Sequence, residues 1–478
     1  MAVRSFNRRQ FLLGAAGAAA TRAFARSAAD VRIRSMDIGY EDFLYRVPIK
    51  FGGRALDRVT LLNVHCVVEG SNGRTATGFG SMPLGNVWSF PAPDIPYETT
   101  LAAMKSLSTK IAQLTRDFRE YAHPLDVNHL LEPEYLKAAA EVSREMQLPR
   151  PVPKLCTLVT ASPVDAALHD AFGRLHGRNS FSVCGRGFVK RDLAYYLNPE
   201  FRGEYLDAYI QPKPTPRIRM YHSVGASDPL TAAEVKKPIG DGLPETLEAW
   251  IPYSGVTAIK IKLNGNDLAW DVDRVAAIDR VTVAAQAKRG LAQWLYSLDF
   301  NERCPNVQYL LDFEHQLKGR APTAFSRVQY IEQPTARDLA ENRQNAMFEA
   351  AKLAPVVIDE SLTGLDALLM ARQMGYTGVA LKACKGQSQT LLLAAATQKY
   401  KMFRCVQDLT CPGAALIHSA GIAAHIPGVS ALEANAREYV PAANREWVRR
   451  FPGIFDVKNG YLDTSVLNGP GLCTSEGI

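Results

Sequence analysis

Two lysines stand two residues apart in an otherwise apolar stretch, "TAIKIKL", at positions 260 and 262. Side chains alternate across a β-strand, so Lys260 and Lys262 would share one face while Ile259 and Ile261 share the other. That lysine face either meets water on an outer strand or lines a site. A lysine beside a second cation has a lowered pKa and can act as a base. The pair therefore predicts either an exposed edge or a site for proton abstraction.

Carboxylates stand at the ends of three of the apolar runs that follow in the sequence. "YSLDFNE" ends on Asp299, "QYIEQP" on Glu332 and "PVVIDES" on Asp359, while "GVALKAC" ends on Lys382. Three carboxylates provide the oxygen ligands that Mg²⁺ prefers. A single Asp at a strand end is often only the N-cap of the next helix. A series of such residues, in phase on successive strands, instead predicts a metal site with lysines on both sides.

Repeated βα units are the elements that must position these residues. Eight apolar strand-like runs begin with "RIRMYHSVGA" at 217, and helix-like segments such as "DVDRVAAIDRVTVAAQAKRG" lie between several of them. Strands that are apolar on both faces indicate a parallel sheet covered by helices, and eight of them favour a closed barrel. An open doubly wound sheet is the alternative, but no glycine-rich phosphate loop opens a helix. In a barrel, the lysines and carboxylates would meet at the C-terminal mouth.

The first half of the chain has a different pattern. It is strand-like from about 31 to 100, with Ser71-Asn72-Gly73 as a hairpin turn, and then helical to about 180. The segment "SPVDAALHDAFGRLHG", residues 162–177, predicts one amphipathic helix that starts at Ser-Pro and stops at Gly. We therefore predict an α+β domain with a linker over 29–216, the barrel over 217–440, and a segment at 441–478 that packs back on the first domain.

The first 28 residues predict an export signal. Paired Arg8 and Arg9, a short apolar run over 11–20 and a small-residue exit at 23–25 resemble a twin-arginine signal. The apolar run is too short to span a bilayer. We therefore expect a periplasmic protein that the twin-arginine machinery exports, and no other segment is apolar enough to cross a membrane.

Composition argues against two other classes of protein. The formal charge is +7, and removal of the first 25 residues, which carry four arginines and no acid, would leave +3. No basic run is interleaved with aromatic residues, so a nucleic-acid partner is not expected. The eight cysteines show neither CxxC nor zinc-type Cys/His spacing, so we predict no zinc site and assign no disulfide.

Taken together, the Lys-x-Lys strand, "LDFN", "IEQP", "IDES" and "LKACKG" resemble the enolase superfamily. Within its mandelate racemase and muconate-lactonizing family, the resemblance is to the muconate-lactonizing subgroup. "SPVDAALHDAFGRLHG" is similar to a helix of that family, and "YRVPIKFGG" to its mobile capping loop. The resemblance covers about residues 31–465. It implies an α/β fold in which an α+β capping domain closes over a modified (β/α)₇β TIM-like barrel, one Mg²⁺ per site, a small-molecule carboxylate substrate and a homo-oligomer.

The resemblance also implies a role for each residue of the site. Lys262 corresponds to the base on one face of the substrate, Lys382 to the lysine on the opposite face, and Lys260 to a lysine that contacts the substrate carboxylate. The other implied residues are the metal ligands Asp299, Glu332 and Asp359, their supports Asn301 and Glu360, and the substrate-binding candidates Tyr45, Lys50, Lys385, Asp408 and Glu433.

Such a site suits abstraction of the proton α to a carboxylate, because a metal stabilises the enolate charge that develops. Racemisation, epimerisation or cycloisomerisation would follow, and an acid-sugar-type dehydratase would use the same groups. The run "ALEANAREYV" lacks the Asp-x-Asp of the subgroup's dipeptide epimerases, which disfavours that activity. A Schiff-base lysine enzyme leaves the three carboxylates unexplained. A non-catalytic exported carboxylate-binding protein is a further alternative, which the complete set of lysines and carboxylates disfavours.

Overall fold

The computed structural model of this chain describes residues 27–51 and 54–474. The predicted export signal falls almost wholly outside these ranges and stays a prediction. Within them, no helix combines the length and apolar character needed to cross a membrane. All eight cysteines fall in the described ranges, where every one is buried and none forms a disulfide.

An antiparallel sheet of three strands opens the first domain. Its strands are β1 (Val31–Phe51), β2 (Arg54–Gly70) and β3 (Thr75–Pro83), paired in that order. The predicted hairpin turn is confirmed, because Glu69 pairs with Thr75 and Gly73 adopts a φ of 78°. Helices follow as α1 (Asn86–Ser89), α2 (Tyr97–Arg116), α3 (Pro124–Glu145) and α4 (Lys154–Leu175), and α2 and α4 pack on the sheet.

Helix α4 corrects the helix predicted at residues 162–177. It starts at Lys154, and Pro163 lies inside it. A proline has no N–H for the carbonyl four residues earlier, but the Ser162 hydroxyl donates to that carbonyl, of Val159, at 2.8 Å. The predicted amphipathic character is also wrong, since nearly every residue of α4 is buried. The face expected to meet water packs on the barrel instead, where Asp165 accepts a hydrogen bond from the Ser388 amide at 2.7 Å.

Only short helical turns connect the two domains. The predicted linker contains α5 (Leu193–Tyr196) and two 3₁₀ turns, Pro199–Phe201 and Leu206–Ala208. A further 3₁₀ turn, Ser180–Val183, precedes it.

A closed ring of eight parallel strands forms the second domain. Each strand pairs with the next in chain order, and the last pairs with the first, through Leu432 with Met220 and Glu433 with Tyr221. The predicted closed barrel is therefore confirmed over the open doubly wound sheet. The strands are β4 (Arg217–Val224), β5 (Ala258–Lys262), β6 (Leu295–Asp299), β7 (Val328–Glu332), β8 (Val356–Ile358), β9 (Gly378–Lys382), β10 (Phe403–Gln407) and β11 (Leu432–Glu433).

Helices join successive strands on the outside of the barrel, which gives the expected (β/α)₇β order. They are α6 (Leu247–Ser254), α7 (Leu268–Lys288), α8 (Val307–Arg320), α9 (Pro322–Phe325), α10 (Ala350–Leu353), α11 (Leu365–Gln373), α12 (Gln387–Lys399) and α13 (Ala414–His425). Two further 3₁₀ turns are Ala232–Glu234 and Ala383–Lys385.

The C-terminal segment contacts both domains. After α14 (Ala436–Tyr439), a 3₁₀ turn (Pro441–Asn444), α15 (Arg445–Arg450) and α16 (Pro452–Phe455), strand β12 (Tyr461–Asp463) pairs antiparallel with β4. The Trp447 ring stacks on Phe79 of β3, with centroids 6.3 Å apart. Thr474 Oγ1 donates to the Phe79 carbonyl at 3.0 Å.

Two layers fill the inside of the barrel. Alternate residues of the strands point inward. Seven of them form an apolar cluster in the lower layer: Tyr221, Ala258, Tyr330, Val357, Ala380, Cys405 and Ala431. Two residues further along each strand, the inward positions become polar, and the register places Lys262 beside Asp299 and Asp299 beside Glu332. This polar layer lies at the C-terminal ends of the strands.

Candidate active site

Lys260 lies at the centre of the polar layer and is 0% exposed. Its Nζ lies 3.0 Å from Glu332 Oε1, 3.0 Å from Glu433 Oε2 and 3.1 Å from Asp299 Oδ2, and it donates to Gln407 Oε1 at 2.9 Å. A buried ammonium group needs such partners, because it has lost its water. The lysine face of β5 therefore lines the barrel interior rather than an exposed edge.

Lys262 and Lys382 stand on opposite walls of the barrel. Their strands, β5 and β9, are four positions apart in a ring of eight. Lys262 Nζ lies 2.5 Å from Asp299 Oδ2, and Lys382 Nζ lies 2.9 Å from Asp359 Oδ2 and 3.1 Å from the Asp408 carbonyl. Both lysines line one small pocket. A ligand in that pocket would have an amine on either side.

The lysines and carboxylates change each other's proton affinity. Burial favours a higher pKa for Asp299, but the ammonium groups of Lys262 and Lys260 outweigh it and hold that pKa well below its ordinary value. Burial, followed by the Asp299 charge, raises the pKa of Glu332. Burial lowers the pKa of Lys382, but the Asp359 carboxylate more than compensates and the net shift is upward.

The pocket between the two lysines has a volume of about 50 Å³. Its barrel side includes Asn301, Asp408 and Glu433, and the first domain covers it with Pro48, Ile49 and Trp88. Lys260 and the three predicted metal ligands do not line this pocket.

Asn301 contacts the predicted metal ligand Asp299 and the second predicted support, Glu360. The backbone N–H of Asn301 donates to Asp299 Oδ1 at 2.8 Å, and its side-chain Nδ2 lies 3.4 Å from Glu360 Oε1. Burial, followed by the charges of Asp359 and Glu302, raises the pKa of Glu360 to about 7. Asn301 therefore bridges the tips of β6 and β8.

The predicted substrate-binding residues occupy different places. Asp408 and Glu433 line the lysine pocket, and burial, with the Glu433 charge, raises the pKa of Asp408 to about 8. Tyr45 lines a neighbouring pocket behind Trp88 and Leu409. Lys385 donates to the carbonyl of Asp359, and its Nζ lies 3.1 Å from Asp359 Oδ1. Lys50 belongs to β1, but its side chain lies outside the described residues.

Two further residues of the site escaped the sequence analysis. Gln407 donates to Glu332 and accepts from Lys260. The alternation of inward residues on β10 could have found it, because it precedes Asp408 at the end of an apolar run. Trp88 had no comparable signal, since it lies on the four-residue helix α1 and far from the barrel in sequence.

A wider cavity of about 410 Å³ adjoins the lysine pocket. Five residues line both spaces, which are therefore adjacent: Pro48, Ser223, Ser227, Asp228 and Tyr439. Its floor includes buried His222 and Glu438, whose Nδ1 and Oε1 lie 2.9 Å apart.

Arg46 of strand β1 links the first-domain wall of this cavity, called the side cavity below, to the barrel domain. Its Nη2 donates to Asp241 Oδ1 at 2.8 Å and to the Leu243 carbonyl at 3.0 Å. These bonds fix the first-domain wall to the residues that follow β4.

The polar layer and the residues just beyond it suit a divalent ion in donor type. They bring together four lysines and six acids: Lys260, Lys262, Lys382, Lys385, Asp299, Glu332, Asp359, Glu360, Asp408 and Glu433. The acids offer the oxygen ligands that Mg²⁺ binds. Within 27–51 and 54–474, no three His, Cys, Asp or Glu side chains are grouped to hold a metal as they stand. Ammonium groups lie between the carboxylates, so a bound metal would have to displace them.

Comparison with solved structures shows the same fold in several enzymes. A dipeptide epimerase from Enterococcus faecalis, complexed with Mg and a dipeptide, gives a TM-score of 0.60 at 12% identity, covering 92% of this chain and 99% of that chain. A muconate lactonizing enzyme from Pseudomonas fluorescens gives 0.59 at 17%, covering 94% and 97%. The L-Ala-D/L-Glu epimerase from Bacillus subtilis gives 0.58 at 14%, covering 92% and 98%. The TM-scores show a shared fold, and at these low identities they show the fold alone.

Sequence comparison assigns the family. A search of curated proteins gave no match. The family model described as "Enolase C-terminal domain-like" matches residues 243–475, which include β5 to β12 and the residues of the polar layer. Through this region, the chain belongs to the enolase superfamily.

Proposed function

We propose that the protein is a Mg²⁺-dependent enzyme that removes the proton α to a substrate carboxylate, and that the resulting enolate leads to racemisation, epimerisation or cycloisomerisation. The observation that supports this proposal is the pair Lys262 and Lys382, which face one pocket from opposite walls. The solved relatives described as epimerases and as a muconate lactonizing enzyme share the fold that positions the pair.

The two lysines would work in sequence. Lys262, in its neutral form, takes the α-proton, and the electron pair of the broken C–H bond moves into the carboxylate to form the enolate. Lys382, as an ammonium group, then gives a proton to the opposite face of the α-carbon. The reverse reaction exchanges the two roles. The Asp408 carbonyl accepts from Lys382 and orients its Nζ.

Asp299, Glu332 and Asp359 would hold the Mg²⁺ ion, at the tips of three neighbouring strands. When bound there, Mg²⁺ would supply positive charge where negative charge develops on the carboxylate oxygens. The oxygen ligands that these carboxylates offer support this assignment. The Lys260 ammonium, which contacts two of these three carboxylates, would have to move aside for the ion. The homo-oligomer, the twin-arginine export and the periplasmic location stay predictions from sequence.

Proton exchange followed by NMR tests the proposal. The protein would be incubated in D₂O with Mg²⁺ and a panel of hydroxy acids, sugar acids, N-acyl amino acids and lactones. We expect the α-proton signal of at least one compound to disappear. Lys262→Ala should slow this loss about 100-fold or more, the range that a general base contributes. Lys318→Ala, which removes an exposed lysine of α8, should match the wild type.

Two results would contradict the proposal. One is exchange that persists for both enantiomers of a responding compound in Lys262→Ala, or for either enantiomer after removal of Mg²⁺ with a chelator. The other is a panel compound that binds wild type and Lys262→Ala equally and exchanges with neither. The second result would identify a non-catalytic carboxylate-binding protein.

A further inference from the structure

Trp88 brings an aromatic face from the first domain onto the second catalytic lysine. Its indole is 3% exposed, and the Lys382 Nζ lies 4.5 Å from the ring centroid. The Lys385 Nζ lies 5.7 Å from the same centroid. An ammonium group over an indole face is attracted by the ring quadrupole, and the attraction grows when water is excluded. The ring therefore closes the side of Lys382 that neither Asp359 nor the Asp408 carbonyl covers.

The edge and the backbone of Trp88 are fixed by the barrel. Its Nε1 donates to Glu360 Oε1 at 3.0 Å, and its carbonyl accepts from Arg337 Nη1 at 3.0 Å. Arg337 is itself held by the Glu302 carboxylate through several hydrogen bonds. The ring consequently cannot turn away from Lys382 without breaking its hydrogen bond to Glu360, and the backbone that carries it is held by Arg337.

The turn that carries Trp88 also sits tightly on the barrel. Gly85, just before α1, has a φ of 53°, and a Cβ there would lie 2.3 Å from Leu409 Cδ2. Leu409 follows Asp408 on the loop after β10. The position of the indole is therefore set by the backbone on both sides.

We propose that Trp88 is a positioning residue for Lys382, so that the first domain completes the half of the site that serves one face of the substrate. This inference rests on the proposed function. Trp88 holds the Lys382 Nζ between the indole face, Asp359 and the Asp408 carbonyl, and so keeps it at one distance from the α-carbon. Proton transfer depends steeply on such positioning. Lys262 does not contact the indole, so proton transfer on the face of the substrate that Lys262 serves does not depend on Trp88.

Lysine labelling tests the positioning without any substrate. Wild type and Trp88→Leu would be treated with an amine-reactive reagent, and the labelling rates of Lys382 and Lys262 read by peptide mass spectrometry. We expect Lys382 to react several-fold faster in Trp88→Leu and Lys262 to keep its rate. Trp447→Leu is the matched control, because it removes another indole that packs against the first domain but touches none of the lysines. Unchanged labelling of Lys382 in Trp88→Leu would overturn the inference.

Exchange on the two faces tests the consequence for catalysis. Both enantiomers of a responding compound would be followed in D₂O, and Lys382→Ala would identify the enantiomer whose α-proton faces Lys382. Trp88→Leu should lower kcat for that enantiomer about tenfold, with little change in KM, and spare the other. Trp88→Phe, which keeps an aromatic face, should recover most of the loss.

A merely structural role for Trp88 gives a different result. Equal losses for both enantiomers, or no recovery in Trp88→Phe while that variant is folded, would overturn the inference. Absence of exchange in the wild type would instead contradict the proposed function, and the labelling experiment would still decide the role of Trp88.

Discussion

Buried ionisable side chains in this protein differ in whether polar partners surround them. Lys260 is enclosed but has three carboxylates and an amide oxygen around its Nζ. Glu314 on α8 is also 0% exposed, and neither of its carboxyl oxygens has a hydrogen-bond partner among the described residues. Burial raises the pKa of Glu314 from the ordinary 4.5 to about 8. A carboxyl in this position is stable only while it keeps its proton.

Glu314 should therefore make stability depend on pH. Below about pH 4.5 the Glu314 carboxyl is protonated in both the folded and the unfolded state, so it contributes no pH dependence to the free energy of unfolding. Above it, the unfolded chain loses the proton first, so the free energy of unfolding falls as the pH rises towards 8. Glu314→Gln removes this loss, and we expect a gain of about 1 kcal/mol or more at pH 8, since one pKa unit corresponds to about 1.4 kcal/mol.

Urea denaturation at pH 5 and pH 8 measures the effect of Glu314. Asp312→Asn, an exposed change on the same helix, should leave the pH dependence as in the wild type. If Glu314→Gln also keeps the pH dependence of the wild type, the carboxyl is not the source.

Helix α4 and strand β3 approach each other closely. A Cβ at Gly80 would lie 2.0 Å from the Pro163 carbonyl oxygen and 2.8 Å from the Ala167 amide nitrogen. At Gly78 the nearest atom, the Ala167 carbonyl oxygen, would be 2.2 Å away. Backbone lies against backbone here, so nothing flexible can yield.

Gly80→Ala should therefore separate α4 from the sheet. We expect the free energy of unfolding to fall by about 2 kcal/mol, within the usual cost of overpacking. Chemical denaturation with tryptophan fluorescence measures this. Gly39→Ala, on β1 where a Cβ would meet nothing within 4 Å, is the control and should be close to neutral. Equal effects of the two substitutions would show that loss of glycine flexibility, not crowding, is responsible.

The sequence predicted the barrel elements better than helix α4, and the physical reason differs in each case. On β5 to β9, period-two alternation and polar strand ends follow directly from a barrel that is apolar below and polar at its mouth. The start of α4 was misplaced because Ser-Pro is normally a boundary signal. Here the Ser162 hydroxyl satisfies the carbonyl that Pro163 cannot reach, and that bond is visible only in three dimensions.

At the scale of the whole molecule, the individual contacts between the domains escaped prediction, although the packing of the first domain on the barrel was expected. Most residues of the polar layer were readable because they lie at or just after the ends of successive strands. The contacts of Trp88 with Lys382 and Glu360 join residues more than 270 positions apart in the chain. No local pattern encodes such a pairing. Lys385 contacts Asp359 and does not line the lysine pocket, and its role in binding substrate stays a prediction.

The side cavity between the two domains should admit the distal part of a substrate. Ser227 lines both this cavity and the lysine pocket. We expect Ser227→Phe to obstruct the junction, so that exchange of carboxylates with a long distal group falls at least about tenfold, the scale of one lost apolar group in a pocket. Short carboxylates should exchange as in the wild type.

The exchange assay in D₂O, run with a series of compounds of increasing length, measures this selectivity. Ser227→Ala is the control and should follow the wild type over the series. A uniform loss across the series in Ser227→Phe would mean that the cavity does not hold the substrate.

Strand β12 has a consequence for how the chain folds during synthesis. Strand β11 is only two residues long, and on its β4 side it pairs only with Met220 and Tyr221. Residues Arg217 to Arg219 of β4 find their partners instead in Tyr461 to Asp463. The hydrogen bonds of the first barrel strand are therefore completed by a stretch that is synthesised more than 240 residues after it. Until then β4 keeps an open edge, so the barrel is completed long after the three-stranded sheet of the first domain has all its strands.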